Sequence, residues 1–279
     1  MVHIGILVNP LSGSGHAGEL GNWLATQLAH KKISCSLFIG NWPHRMDAFS
    51  DIWIVGGDGT VNYFLNHYTY SKTPLSIFKG GTGNDFHWKL YGDISKEEQL
   101  EKILSAPARP IDAACCNNKV YINSSGIGFD GEVLRSMKAI RKLGGHFGYL
   151  WVVLKKIFSY REPDFRVTVD GKEWLGKFLL ISANNSSRTG GGFLVTPRAT
   201  LDDGKLDLLL CKPLGLLKRL LYLPKIETGK HLSLSCILYF QVTDIKVFCE
   251  NELYAQLDGE LIKEKIFHYT VLPAYLMIK

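Results

Sequence analysis

The spacing of apolar and polar positions changes once along this chain. Up to about residue 105, short and nearly continuous apolar runs alternate with stretches of helical spacing. Residues 2–8, 34–39, 52–55 and 75–78 read as strands, the first typical of a central parallel strand. Leu20, Trp23, Leu24 and Leu28 share one helical face, Val61, Phe64 and Leu65 begin a helix over 61–67, and a helical stretch over 100–104 is ended by Pro107 and Pro110. The connection over 40–50, with Trp42-Pro43, is short for a crossover helix. Strand alternating with helix predicts an α/β domain with a parallel sheet. Beyond Pro110 the runs at 111–114, 119–123, 165–169, 177–183, 205–211, 234–240, 245–249, 253–257 and 267–272 are strand-like and separated by turn residues. Asp170-Gly171 and Asn251-Glu252 read as hairpin turns. The expectation is an α/β N-terminal domain over 1–110 and an antiparallel β-sandwich over 111–279, with one helical insertion over 131–160. No repeat and no low-complexity stretch interrupts this pattern.

Three of the strands run into glycine-rich turns. The first ends in Asn9-Pro10-Leu11-Ser12-Gly13-Ser14-Gly15, the third in Gly56-Gly57-Asp58-Gly59-Thr60-Val61-Asn62, the fourth in Lys79-Gly80-Gly81-Thr82-Gly83-Asn84-Asp85-Phe86. Glycine leaves no Cβ to block a ligand, and a helix N-terminus aims free N–H groups at an anion. In an open parallel sheet all three turns would lie at the carboxyl edge, where ligands bind. One such loop is as readily an ordinary strand-to-helix turn; three together argue for a nucleotide or polyphosphate site. There is neither a Walker Gly-Lys-Ser/Thr nor a Gly-x-Gly-x-x-Gly fingerprint. Asp58 places a carboxylate inside an anion-seeking turn, which calls for Mg²⁺ or a proton transfer there.

Composition adds bounds. With 279 residues, 46% hydrophobic and 21% charged, the chain has ample material for a core. A net charge of +6 suits an anionic partner such as a nucleotide or an acidic membrane surface, and is too scattered for nucleic acid. Six cysteines lack metal-ligand spacing and read as free thiols of a reducing compartment. No apolar run approaches the roughly 20 residues of a membrane span, and the N-terminus reads as a strand rather than a signal peptide. A cytoplasmic protein is expected, reaching the inner face of the membrane only by peripheral contact.

Four motifs, in this order, resemble the diacylglycerol kinase catalytic family in its compact bacterial lipid-kinase form. They are Asn9-Pro10-x-Ser12-Gly13, Gly56-Gly57-Asp58-Gly59-Thr60-x-Asn62, Gly81-Thr82-Gly83-Asn84-Asp85-Phe86 and Leu257-Asp258-Gly259-Glu260. Asn123-x-x-Gly126-Ile127-Gly128-Phe129-Asp130, Gly190-Gly191-Gly192 and Asp203-Gly204-Lys205-Leu206-Asp207 look like further signatures. Sphingosine and ceramide kinases are related, nicotinamide dinucleotide kinases more distantly. The resemblance covers nearly the whole chain and implies ATP-dependent phosphorylation of a lipid hydroxyl, in a cleft between the α/β domain and the β-sandwich.

Position by position, the resemblance implies ATP contacts from Asn9, Pro10, Ser12, Gly13, Gly56, Gly57, Asp58, Gly59, Thr60, Asn62, Gly81, Thr82, Asn84 and Asp85. Asp58 would reach the phosphates through Mg²⁺. The family's general base lies in the Asp-Gly-Glu signature, so Asp258 and Glu260 are both candidates, and the sequence leaves the choice open. Read alone, that triplet is equally a hairpin turn with a solvated glutamate. The resemblance also implies a structural cation, Mg²⁺ or Ca²⁺, held by the Asp203 carboxylate and the carbonyls of Thr200 and Lys205; a plain acidic turn fits the same spacing. Two positions depart from the family: Tyr63 stands where many members have an acidic residue, and 38–40 lacks the usual Thr. Both fall around the nucleotide's base and ribose.

The 131–161 insertion carries Arg135, Lys138, Arg141, Lys142, Lys155, Lys156 and Arg161 around an apolar, aromatic stretch over 149–154. It reads either as an interfacial helix on anionic lipid or as a packed helix with a solvated basic face. The leading expectation is a peripheral lipid kinase acting on ATP and a lipid such as diacylglycerol. The rivals are a dinucleotide kinase and a regulator that binds nucleotide or lipid without catalysis. Acceptor choice is not encoded by any short motif, and an antiparallel edge strand could support a homodimer.

Overall fold

The structure, a computed structural model, describes residues 2–68, 72–139 and 146–279, those at 138–139 and 146–150 by backbone only. It divides into two units. The first holds the chain up to Ala113 together with Pro273–Lys279, the second Ala114–Leu272.

In the first unit, β1 (His3–Val8), β2 (Ser34–Ile39), β3 (Asp51–Gly56) and β4 (Leu75–Lys79) form a parallel sheet in the order β4-β3-β1-β2. In β1, β3 and β4 the apolar runs are continuous because both faces are covered: Ile6, Leu7, Val8, Ile52, Trp53, Ile54, Val55 and Phe78 have no solvent exposure, whereas β2, at the sheet's edge, has no buried residue. Helices α1 (His16–His30), α2 (Asp58–His67), α3 (Asp85–Tyr91) and α4 (Lys96–Ser105) follow strands. Ser95 and Glu98 start α4 with a reciprocal capping box. The 40–50 connection contains no helix, as its length predicted. The returning C-terminus is tied in here. The Tyr91 hydroxyl donates to the Lys279 carbonyl at 2.6 Å, and the Lys279 ammonium pairs with Asp51. Burial pushes the Asp51 carboxyl up, and that lysine opposes the shift.

The second unit is antiparallel. It comprises the end of β5 (Arg109–Cys116), then β6 (Lys119–Tyr121), β7 (Ser124–Gly128), β8 (Asp164–Val169), β9 (Lys172–Lys177), β10 (Leu180–Asn184), β11 (Leu206–Cys211), β12 (Ile237–Val242), β13 (Asp244–Leu257) and most of β14 (Glu260–Ile278). The order is β12-β11-β10-β7-β13-β14, with β8 beside β13 and β9 beside β8. Asp170 and Gly171 take φ of 46° and 78° in the β8–β9 hairpin, as that dipeptide predicts. Asn251-Glu252 is a correction, because no hairpin turns there. Both halves of β13 pair with the same strand, β14, and the polar 250–252 stretch is a register shift between Phe248 and Leu253. The first half also pairs with β8 and the second with β7.

Among the described residues this unit holds three helices: α5 (Phe129–Ala139), α6 (His146–Ser159) and α7 (Leu216–Glu227). The first two are the expected insertion. Helix α7 was not expected, since it carries Pro224 and no residue of it is fully buried. Val133, Val152, Val153 and Ile157 form a small core of their own, onto which Leu220 and Leu223 of α7 pack.

Candidate active site

Glycine builds the first part of the site, because the three loops of the first unit touch backbone to backbone. A Cβ at Gly81 would fall 2.4 Å from the Gly57 Cα, and one at Gly13 2.4 Å from the Gly80 carbonyl oxygen. Gly13 also needs a φ of 57°. The Gly80 N–H donates to the Gly56 carbonyl at 2.9 Å. The hydroxyl of Thr60 joins the first two loops: the Asn9 amide donates to it at 3.0 Å and the Ser12 hydroxyl lies 3.2 Å away. Asn9 Oδ1 accepts from the Leu11 N–H, fixing its own turn. In the third loop Asn84, at φ 50°, accepts from the Gly81 N–H at 2.9 Å and donates to the Gly81 carbonyl at 2.7 Å.

Asp58 opens α2 and is half-buried. One carboxylate oxygen accepts from the Asp85 N–H at 3.1 Å and the other from the Phe86 N–H at 2.9 Å, so it caps α3 from outside that helix. Asn9, Ser12, Gly13, Gly56, Gly57, Asp58, Thr60, Gly81, Asn84 and Asp85 are thus brought together. Pro10, Gly59 and Thr82 are exposed on the same loops, and Asn62 is buried one turn into α2. The three loops meet main chain to main chain where a side chain would collide, at the N-terminus of the ten-residue α2, a position that favours an anion. No group of three or more Asp, Glu, His or Cys side chains among the described residues could hold a metal alone. One carboxylate beside phosphates is the donor set that suits Mg²⁺, which keeps most of its shell as water and phosphate oxygen.

Tyr63, one of the two departures from the family pattern, sits in an aromatic group. Tyr63 stacks on His67 at 3.8 Å and meets Trp42 edge-on at 5.7 Å; the Trp42 indole donates to the Val8 carbonyl at 3.2 Å. On the buried side of α3, His87 pairs with the Gln99 amide oxygen at 3.0 Å, and burial pushes its pKa down.

In the second unit, Asp258 and Gly259 are the two-residue turn between β13 and β14, with φ of 48° and 84°. The hairpin anticipated for Asp-Gly is therefore present, and the carboxylates differ sharply. Asp258 is buried, and its oxygens accept from the N–H groups of Ile122 (2.8 Å), Asn123 (2.9 Å) and Ser124 (3.0 Å). Its own N–H returns a bond to the Ser124 carbonyl at 2.9 Å. Gln256 braces the turn by accepting from the Gly259 N–H and donating to the Ser124 hydroxyl. Glu260, the first residue of β14, is exposed. The Asn123 and Gly126–Asp130 signature, given no role from sequence, surrounds this turn. A Cβ at Gly126 would lie 2.2 Å from the Asp130 carboxylate, whose pKa burial pushes up.

Thr200, Asp203 and Lys205 lie exposed on one turn before β11. Asp203 accepts from the Lys205 N–H at 3.1 Å. The insertion's cations part company: Lys156 pairs with Glu132 at 2.7 Å and is mostly covered, whereas Lys155 is exposed. Lys138, Arg141, Lys142, Tyr149 and Leu150 fall outside the described side chains. Exposed large apolar residues gather on α6 and α7: Trp151, Leu154, Phe158, Leu216, Leu217 and Leu221. No described helix is long and apolar enough to cross a membrane.

An α/β unit with a three-loop phosphate cradle, joined to an antiparallel unit with an acidic hairpin, defines a phosphotransferase architecture. Residues 3–116 match the diacylglycerol kinase catalytic domain, and residues 123–279 match the YegS C-terminal NAD kinase beta sandwich-like domain. The chain belongs to this family of lipid kinases. A relative described as "Probable lipid kinase YegS-like" from Pseudomonas fluorescens is 31% identical over 80% of this chain and 73% of its own. A diacylglycerol kinase of Mycobacterium tuberculosis is 26% identical over 98% of this chain and 93% of its own. A crystal structure of a diacylglycerol kinase from Bacillus anthracis str. Sterne shares the fold, with a TM-score of 0.75, at 20% identity over 99% of this chain and 96% of that one.

Proposed function

We propose that this chain transfers the γ-phosphoryl group of ATP to the hydroxyl of a lipid of the diacylglycerol type. The observation that carries the reading is the three-loop cradle at the start of α2, whose main-chain contacts leave no room for a Cβ at Gly13 or Gly81, an arrangement that suits a polyphosphate. Mg²⁺ would be held by Asp58 together with the phosphate oxygens, neutralising the charge that builds on the transferred group. Asp58 keeps its place through the two α3 N–H groups.

Of the two acidic candidates in the hairpin, Glu260 is the better proton acceptor. Its carboxylate is exposed, whereas the oxygens of Asp258 are occupied by three backbone donors. Asp258 is then a positioning residue that fixes the turn carrying Glu260. The Asp203 turn is retained as a structural site for a hard cation, with Thr200 and Lys205 offering carbonyls. Peripheral contact with an anionic membrane surface is supported by the exposed apolar side chains of α6 and α7 beside Lys155 and Lys218. A soluble dinucleotide acceptor would need no such face.

The test is turnover of labelled ATP over diacylglycerol, phosphatidylglycerol, a sphingoid base and NAD. Label in a lipid is expected. Label only in the dinucleotide, or none anywhere, overturns the reading. Binding to anionic vesicles should weaken in Lys155→Glu; unchanged co-sedimentation sinks the membrane face.

A further inference from the structure

The triple glycine at 190–192 is the tip of a small closed loop after β10. The Thr189 N–H donates to the Phe193 carbonyl at 2.9 Å, and the Phe193 N–H returns a bond to the Thr189 carbonyl at 2.9 Å. Between them Gly190, Gly191 and Gly192 take φ of 65°, 78° and 141°, a run that residues with a side chain rarely adopt. Gly190 and Gly191 are exposed, and a side chain ties the base of the loop to the interior: the Thr189 and Ser124 hydroxyls lie 2.6 Å apart. From Ser124 the path continues inward. Gln256 Nε2 donates to the Ser124 hydroxyl at 3.2 Å, and Gln256 Oε1 accepts from the Gly259 N–H at 3.0 Å. Ser124 and Gln256 are 1% and 5% exposed, so the path leaves an exposed glycine loop, crosses two buried side chains and surfaces at Gly259, the residue before Glu260.

We propose that Thr189 is a positioning residue for phosphoryl transfer, setting the Glu260 carboxylate through Ser124, Gln256 and Gly259. The assignment rests on the reading of Glu260 as the proton acceptor. Asp258 already secures the hairpin with three backbone N–H bonds, so the turn has its structural tie without Thr189. Those bonds hold the first residue of the turn. The peptide of the second, Gly259, is held by Gln256, and it fixes where β14 begins; Glu260 is the first residue of that strand. A glutamine amide is a firm support only when its other end is held as well. Here that end donates to Ser124, whose hydroxyl has Thr189 as its further neighbour. Removing the Thr189 hydroxyl takes a partner from a buried hydroxyl and slackens every bond after it. A base displaced by a fraction of an ångström loses rate while the substrates bind as before.

The test uses the full chain with ATP and dioctanoylglycerol. Thr189→Val keeps the shape of the side chain and removes the hydroxyl; Thr189→Ser keeps the hydroxyl. In Thr189→Val, backbone hydrogen exchange over residues 257–261 should quicken about fivefold, the scale of one lost hydrogen bond. Its kcat should fall about tenfold with the KM for ATP unchanged. Thr189→Ser should restore both. In a Glu260→Gln background Thr189→Val should lower kcat no further, because the group it positions is gone, whereas a merely structural hydroxyl would lower it in both backgrounds. Thr189→Ala, which adds no branched side chain to the loop, carries the same comparisons if Thr189→Val does not fold. Unchanged exchange in a folded variant overturns the path. Faster exchange with unchanged kcat, or an equal loss in the Glu260→Gln background, overturns the positioning role. A wild-type chain that labels no lipid while the exchange difference stands sinks the kinase reading instead, and the role in transfer with it.

Discussion

Asp58 and Asp258 are each the aspartate of an Asp-Gly pair, each at the exit of a strand, and each engages backbone N–H groups with both carboxylate oxygens. Their surroundings give them different work. Asp58 is half-buried and holds two N–H groups at the start of a neighbouring helix, among the glycine loops proposed to take phosphate. Asp258 is buried in a hairpin turn and holds three N–H groups, so its carboxylate ties one turn to another, and the exposed Glu260 is the acid proposed to meet substrate. An acidic residue next to glycine is therefore not a chemical assignment in itself. The number of backbone donors it already serves, and what lies beyond them, decides between organising a ligand and organising the chain.

The sharpest way to break this contrast is to remove each carboxylate and read activity and stability together. Asp58→Ala is expected to abolish transfer, by about 10³-fold, because metal and phosphates lose their organiser. The fold should survive with a loss of about 1 kcal/mol, that of a missing helix cap. Near-normal initial rates in that variant would refute the role. Glu260→Gln should lower kcat by at least about 100-fold with little change in the melting midpoint, since the substitution removes the charge of an exposed residue and keeps its size. Asp258→Ala should do the reverse and cost about 3 kcal/mol of unfolding free energy, because three buried N–H groups lose their acceptor. Asp258→Asn retains one acceptor oxygen and should cost less. Full stability with no transfer in Asp258→Asn would exchange the roles of the two acids. Gly81→Ala comes next: its Cβ would sit 2.4 Å from the Gly57 Cα. Prising the two loops apart should cost about 2 kcal/mol and raise the KM for ATP, measured by denaturant unfolding and initial rates.

The same contrast governs what was legible before the fold was known. The cradle was readable because glycine at 13, 57 and 81 is demanded by close approach, and close approach is what a phosphate loop is. The parallel strands were readable because burial on both faces leaves unbroken apolar runs. The hairpin signal at Asp258-Gly259 was readable, but the choice between Asp258 and Glu260 was not, since it depends on N–H groups about 135 residues away in sequence. Helix α3 escaped notice because it has only seven residues and its N-terminus is capped by Asp58, from another helix. Helix α7 escaped because Leu216, Leu217 and Leu221 face solvent, which erases the polar stripe that marks an amphipathic helix. Residues 250–252 looked like a turn because they are polar, yet the strand runs on through them in β13.

The smallest expected effect is a pH dependence that the first unit carries and the carboxylate chemistry does not. His87 is a buried residue of α3, held by Gln99, which in turn donates to the Ile77 carbonyl at 2.7 Å. Burial pushes its pKa below the unfolded value of about 6.5. The unfolded chain therefore takes up a proton at a pH where the native chain does not. The stability His87 provides is complete above that unfolded pKa and is lost as pH falls towards the folded one, at a slope of at most about 1.4 kcal/mol per pH unit. His231, buried against the Val195 carbonyl in the second unit, shifts in the same direction and adds a slope of its own. Urea midpoints should thus decrease between pH 7 and pH 5.5. His87→Gln, which preserves a polar partner for Gln99, should make that decrease smaller. An identical decrease in wild type and variant would show that His87 is protonated as readily in the folded chain as in the unfolded one.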